Sequence, residues 1–342
     1  MAVNNFHGIL SQCSLMEEVF TSISRCAAAD VPVFITGETG TGKELAARAC
    51  HLESPRREQP FIAINCANLN ENLMESQLFG HRRGAFTGAT SDHAGALKSA
   101  GHGTLFLDEV TTLPMPLQAK LLRAVQEREF VPLGSHTPEK FEAQFVSASS
   151  TSLSEAVSRG EFREDLYYRL NVVMFDLPPL RKRAGDVEFL ARHFLRAYSE
   201  AWNKDFVNFD EDALERMRDY PWPGNVRQLE NILKGVIALN YGPVVTAAML
   251  EGPMNEAMKY QQRPAAQLGM GASLANMQQR LRKNGRRRGD QEVQPLWWVE
   301  RETIEHAIKL CGGNIIKAAG LLEVSPSTIY RKREKWLQQE EQ

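Results

Sequence analysis

Val31-Pro32-Val33-Phe34-Ile35-Thr36-Gly37-Glu38-Thr39-Gly40-Thr41-Gly42-Lys43-Glu44 is the stretch on which the fold turns. Residues 31–36 read as a short buried strand and 44–51 as a helical run, so the glycine-rich loop lies between a strand and a helix. Glycines let successive backbone N–H groups turn inward around phosphate oxygens. Lys43 adds a mobile positive charge, and the helix N-terminus contributes its own partial charge. In that setting G-x-x-x-x-G-K is a P-loop, and residues Gly37, Glu38, Thr39, Gly40, Thr41, Gly42, Lys43 and Glu44 are expected to bind a nucleotide. A Ser or Thr normally follows the lysine to ligate Mg2+; Glu44 stands there, so the cation needs other ligands or waters.

Downstream, Thr104-Leu105-Phe106-Leu107-Asp108-Glu109 is an apolar strand ending in two adjacent carboxylates. Beside a P-loop these form a Walker B pair: Asp108 holds Mg2+, directly or through water, and Glu109 orients or deprotonates the attacking water. The strand at 61–64 ends in Asn65, which reads either as a polar group at the ligand-binding end of a parallel sheet or as a turn former. Another strand, 145–148, ends in Ser149 and Ser150, whose hydroxyls are placed to report on a γ-phosphate. Gly84-Ala85-Phe86-Thr87-Gly88-Ala89, preceded by His81, Arg82 and Arg83, reads on its own as a surface hairpin. Arg163 and Arg169 read either as surface ion-pair partners or as cations offered to a neighbouring subunit's phosphate, a use that requires an oligomer.

Upstream, residues 6–30 carry Leu15, Met16, Val19, Phe20 and Ile23 at helical spacing and are expected to form a core helix. From 177 the strands give way to helical periodicity at 187–200, 210–219 and 225–239. Asn225 is expected to cap the last of these, and Arg227 in its first turn opposes the helix dipole and invites a phosphate. Residues 255–295 read as a linker with a basic run at Arg280, Arg282, Lys283, Arg286, Arg287 and Arg288. Beyond it, two short helices flank a turn at Glu323 and Val324. Ser325, Ser327, Thr328, Arg331 and Lys332 lie on or just before the second helix, the pattern of a DNA-binding helix-turn-helix. The expected domains are therefore 1–176, 177–254, 255–295 and 296–342.

The 342 residues carry a net charge of −2 and five scattered cysteines without metal-ligand spacing, which favours a reducing compartment. No signal peptide or bilayer-spanning stretch is evident, so membrane insertion is not expected.

Together GETGTGKE at 37–44, GAFTGA at 84–89, LFLDE at 105–109, FREDLYYRLNV at 162–172 and WPGNVRQLEN at 222–231 resemble the bacterial enhancer-binding proteins, the sigma-54-dependent AAA+ transcriptional activators. The resemblance covers nearly the whole chain. It implies an α/β AAA+ P-loop NTPase with a parallel sheet, a small helical lid and a C-terminal all-α helix-turn-helix domain. It also implies ATP and Mg2+ as ligands, a cytoplasmic location, and a homo-oligomer that is a hexamer when active and a dimer when inactive. Sigma-54 with RNA polymerase and double-stranded enhancer DNA are the implied partners. By the same resemblance Glu44 matches the family. Arg163 and Arg169 act as arginine fingers, Arg227 is the lid sensor, Asn65 holds or releases Glu109, and residues 84–89 contact sigma-54 through Phe86 and Thr87. Two positions depart from the pattern: Ser149-Ser150 replaces Thr-Asn, keeping a hydroxyl and losing an amide, and Glu323 replaces a glycine. With too few residues before Phe6 for a receiver or sensing domain, the chain resembles the short subgroup typified by the phage-shock activator, controlled by a separate inhibitory protein, unless it is part of a longer protein that carries such a domain. A competing expectation is a nucleotide-regulated DNA-binding regulator with little ATPase activity that acts without sigma-54.

Overall fold

The computed structural model describes residues 4–67, 70–261 and 303–308, with isolated positions at 315, 319, 322, 328, 329 and 332. The chain separates into two compact units, Met1–Gln262 and Arg263–Gln342.

The first unit opens with a hairpin, β1 (Asn4–Phe6) and β2 (Ile9–Ser11), where one long helix from residue 6 was expected. His7 and Gly8 both have positive φ, the turn that a two-residue hairpin requires. Helix α1 (Ser14–Cys26) follows; it buries Met16, Phe20 and Ile23 and leaves Leu15 exposed. Then come β3 (Val33–Thr36), α2 (Lys43–Glu53), β4 (Phe61–Asn65), α3 (Glu71–Phe79), α4 (Gly95–Ala100), β5 (Thr104–Asp108) and α5 (Met115–Glu127). A short hairpin of β6 (Glu129–Phe130) and β7 (Glu139–Lys140) precedes β8 (Gln144–Ser149), α6 (Leu153–Ser158), α7 (Glu164–Leu170) and β9 (Val173–Asp176).

Five of these strands form one sheet in the order β4-β5-β8-β3-β9, with every neighbouring pair parallel. Parallel strands need crossover helices, which cover both faces and make the strands apolar throughout. The side-chain period of two divides the core accordingly. Phe34, Leu105, Leu107 and Phe145 pack with α3, α4, α5 and α7, whereas Val33, Ile35, Phe106, Val146 and Ala148 pack with α1 and α2. Each buried Val, Ile, Leu or Phe among these contributes roughly 1.5–3 kcal/mol of transfer free energy. This packing holds the carboxyl ends of β3, β4, β5 and β8 along one edge, where open α/β sheets bind ligands.

The rest of the unit is a helical lid: α8 (Asp186–Trp202), β10 (Asn208–Phe209), α9 (Glu211–Asp219), α10 (Asn225–Leu239), β11 (Val244–Val245) and α11 (Ala247–Gln261). Its core surrounds Trp222, fully buried, whose indole N–H donates to the Met217 carbonyl at 2.8 Å. Helix α11 includes Pro253 and continues to Gln261, past the boundary expected at 254.

In the second unit, Ile304, Ala307, Ile308, Ala319 and Ile329 bury one apolar cluster, with Ile315 and Leu322 packed against it. Thr328 and Lys332 are helical, as expected of the second helix of the motif. Ser325, Ser327, Arg331, Glu323 and the basic run lie outside the described residues.

Candidate functional site: a nucleotide cradle with an output loop

The P-loop leaves β3 at Thr36 and enters α2 at Lys43. Lys43 is nearly buried, and its Nζ donates to the Gly37 carbonyl at 2.9 Å and the Glu38 carbonyl at 3.5 Å. The ammonium is thus folded back over the curve of the loop. Thr41 is buried too, donating from Oγ1 to the Glu38 carbonyl at 2.8 Å.

Gly40 shows why this position admits no side chain. Its φ is +82°, and a Cβ there would lie 2.2 Å from the Gly224 carbonyl oxygen of the lid. That closeness lets the Gly40 carbonyl accept from the backbone N–H groups of Val226 at 3.0 Å and Arg227 at 3.4 Å. The start of α10 therefore rests on the loop, which brings exposed Arg227 to the nucleotide cradle.

Two P-loop acids point elsewhere than to phosphate. Glu38 is gripped by Arg181, Nη1 to Oε2 at 2.8 Å and Nη2 to Oε1 at 2.5 Å. This pairing with Arg181 holds the Glu38 carboxyl below its ordinary range. Exposed Glu44 pairs with Arg48 one turn on, at 3.0 Å. The Glu38 side chain thus fastens the cradle to the lid.

At the ends of β4, β5 and β8 the acids meet their partners. Burial, and next the charge of Glu109, push the Asp108 carboxyl up from its ordinary value. Asp108 accepts from the Glu109 backbone N–H at 3.1 Å and from Asn65 Nδ2 at 3.3 Å. The resemblance implied that Asn65 holds Glu109; here it bonds Asp108, because β4 and β5 are adjacent with Asn65 opposite Asp108. Glu109 instead reaches Ser150, the position of the family departure: its Oε2 accepts from the Ser150 backbone N–H at 3.0 Å and from Oγ at 2.8 Å. Its Oε1 lies 3.5 Å from Lys43 Nζ. Two acids crowded beside one lysine fit a divalent cation, whose charge would offset the burial and the Glu109 repulsion that together raise Asp108.

Arg163 lies just before α7, its guanidinium held by Asp165 at 3.0 and 2.7 Å. Its backbone N–H donates to Oε1 of buried Gln118 at 2.8 Å, and Gln118 also donates to the Leu113 and Glu161 carbonyls. Gln118 thus sets where Arg163 projects, a role no local motif signalled. Arg169 is exposed on α7, with no ion pair among the described residues.

Residues 84–89 form a tight loop closed by the Gly84 N–H to Ala89 carbonyl bond at 2.9 Å, with Gly84 and Gly88 at positive φ. Phe86 is 42% exposed, and its ring meets His81 edge-on at 5.0 Å. The loop base is held by Arg82, which pairs with Asp92 and Glu139, and by the Arg82 N–H bond to the Leu133 carbonyl. An exposed aromatic is thus presented on a braced stalk.

Residues 9–176 match the family described as the Sigma-54 interaction domain, 181–267 the AAA+ ATPase lid domain, and 295–336 the Fis family of bacterial regulatory proteins. The regulatory protein LuxO of Vibrio vulnificus is 43% identical over 337 residues, spanning 98% of this chain and 71% of the relative. The DNA-binding transcriptional regulator NtrC of Rhizobium meliloti is 39% identical, spanning 95% and 68%. Among solved structures, NtrX of Brucella abortus in complex with ADP is 28% identical with a TM-score of 0.67, over 96% of this chain and 69% of that one. The same protein in complex with ATP gives a TM-score of 0.66 at 27% identity. A P-loop, a Walker B acid pair and a lid on one parallel sheet make this an AAA+ ATPase, and with the relatives' likeness running almost end to end, the chain belongs to the sigma-54-dependent activators, the bacterial enhancer-binding proteins.

Proposed function

We propose that the chain hydrolyses ATP within a homo-oligomeric ring, a hexamer assembled from inactive dimers in the cytoplasm, to remodel RNA polymerase carrying sigma-54 and open promoter DNA. The observation that carries this reading is the placement of the 84–89 loop. Chain leaving Asn65 at the nucleotide edge runs through α3 directly into the stalk that exposes Phe86 and Thr87, so the loop and the Walker B edge belong to one unit.

In this reading Lys43 and the backbone amides of residues 37–43 take the phosphates, and Asp108 would hold Mg2+. The cation supplies charge neutralisation when bound. Glu109 takes a proton from the attacking water. Arg163 and Arg169 enter the cradle of the adjacent subunit, where a guanidinium offsets charge on the transferred phosphoryl group. Arg163 must first leave Asp165, a solvent-screened surface pair, so the exchange costs little. Arg227 senses the nucleotide from the lid. The second unit binds double-stranded enhancer DNA through Ser325, Ser327, Thr328, Arg331 and Lys332, and a separate protein restrains the motor.

Thr87→Ala tests the output loop. Steady-state ATP turnover should stay near that of the parent, while open-complex formation with sigma-54 polymerase is lost. Unchanged transcription in this variant overturns the assignment.

A further inference from the structure

Helix α5 and the hairpin of β6 and β7 border a cavity of about 420 Å³ that contains none of the nucleotide-binding residues. Sites for small organic ligands occupy roughly 300–1,000 Å³, so the space is of the right order for a small metabolite. Much of its wall is apolar. Phe79, Phe130 and Pro132 are buried there, Leu133 is half-buried, and Pro138 adds to the same lining.

The cavity also meets the output loop. Ala85 lines it, and the hairpin turn comes so close that a Cβ on Gly134, at φ +72°, would lie 2.8 Å from Ala85 Cβ. Leu133 ties that turn to the stalk: its N–H donates to the Gly80 carbonyl at 3.0 Å, and its carbonyl accepts from the Arg82 N–H at 2.9 Å.

Charges of both signs stand around the same space. Lys120 is paired with Glu75 of α3. Arg123 and Glu127 of α5 and Glu129 of β6 line the cavity without an ion pair among the described residues. Arg123 and Glu127 stand one helical turn apart, the spacing at which opposite charges pair, and yet they remain separate.

We propose that this cavity binds a free hydrophobic α-amino acid and that its occupation braces the base of the output loop. A carboxylate presents two oxygens in the geometry that a guanidinium matches, so Arg123 takes that end of the ligand. An ammonium has three donors and no acceptor, which lets one group serve both Glu127 and Glu129. The ligand's side chain then lies against Phe130, Pro132 and Leu133, where a polar one would lose its hydrogen bonds to water. Neither charge suffices alone. A simple carboxylate would meet two uncompensated acids, and a simple amine would bring a cation to Arg123. Because the ligand touches Leu133 in the turn that holds Gly80 and Arg82, binding stiffens the stalk. The site goes beyond ATP hydrolysis and does not depend on which polymerase the loop contacts.

Isothermal titration of the full chain tests the site, with L-leucine as the probe. Its analogues 4-methylpentanoate and 3-methylbutylamine lack the ammonium and the carboxylate respectively. L-leucine should bind saturably with a Kd of about 1 mM or tighter. Each analogue should bind about tenfold more weakly or worse, the scale of one lost hydrogen bond to a charged group. Arg123→Gln and Glu127→Gln alter exposed side chains and should melt as the parent does, and each should weaken L-leucine binding about tenfold. Saturating L-leucine should slow chymotryptic cleavage after residue 86 several-fold without slowing cleavage of a short peptide substrate. Absence of saturable heat, analogues that bind as well as L-leucine, variants with the parent's affinity, or cleavage unchanged by bound L-leucine overturns the proposal.

Discussion

Asn225 Nδ2, at the start of α10, donates to the Glu38 carboxylate at 3.2 Å and to the Thr39 carbonyl at 3.0 Å, while its Oδ1 accepts from the Leu180 N–H at 2.7 Å. One fully buried amide therefore joins the lid, the P-loop and the segment entering the lid. It does not cap α10, as local sequence suggests; Gly224 occupies that position and Asn225 has φ +51°.

Asn225→Ala should accordingly act on binding as well as stability. It strands the buried Leu180 N–H, at about 1–3 kcal/mol for an unsatisfied buried group, and places alanine where asparagine is better tolerated. Denaturant titration should show a loss of that order, and KM for ATP should rise because the lid no longer seats on the loop. A destabilised variant with the parent's KM would separate the latch from nucleotide binding.

Asp108 and Glu109 trade stability for activity. The folded-state value of Asp108 is raised above its ordinary 3.8, by burial first and then by Glu109. A raised carboxyl favours folding below its unfolded value, and that advantage is lost as pH rises through the folded one. At neutral pH the charged pair is therefore a cost that nucleotide and cation are positioned to relieve. Asp108→Asn should abolish ATP turnover yet raise the ligand-free melting temperature by a few degrees, on the scale where ~1 kcal/mol moves a domain of 150–250 residues ~2–4 °C. The gain should shrink as pH falls through the raised folded-state value and be gone below 3.8, where the parent carboxyl is neutral in both states. An equal or lower midpoint at pH 7 would show that the acids are not in conflict.

Much of this organisation was legible in the sequence because it is encoded locally. The P-loop at 37–43, the strand ending at Asp108 and the lid helices announce themselves through glycine spacing and apolar periodicity, which depend on near neighbours. Strand β9 did not, because Val173–Asp176 is short and only Phe175 of its four residues is buried at the sheet edge. The partners of the acids were equally hidden. Whether Asn65 or Ser150 holds Glu109 depends on strand order, and β8 lies on the side of β5 opposite β4, a fact set by packing of the whole sheet. Arg181, Gln118 and the hairpin turn at His7 lack a motif of their own, since each acquires its role from a residue distant in sequence or from backbone conformation.

His81 links the output loop to α3. It pairs through Nδ1 with Ser76 Oγ at 2.7 Å and presents its ring to Phe86 at 66° between planes. Ser76 is buried in the helix that follows the Asn65 end of β4, so a shift of α3 at the nucleotide edge reaches Phe86 through this contact. An edge-on aromatic pair contributes about 0.5–1.5 kcal/mol beyond its buried area, enough to hold the ring down most of the time without locking it. His81→Ala should release Phe86, raising the rate of chymotryptic cleavage after residue 86 about 2- to 12-fold while ATP turnover persists. His81→Phe keeps the edge contact but loses the hydrogen bond to Ser76, so it should retain the protection while uncoupling the loop from α3. Equal cleavage rates in the alanine variant and the parent would mean that Phe86 is held by the stalk alone, through Arg82 and the Gly84 to Ala89 closure.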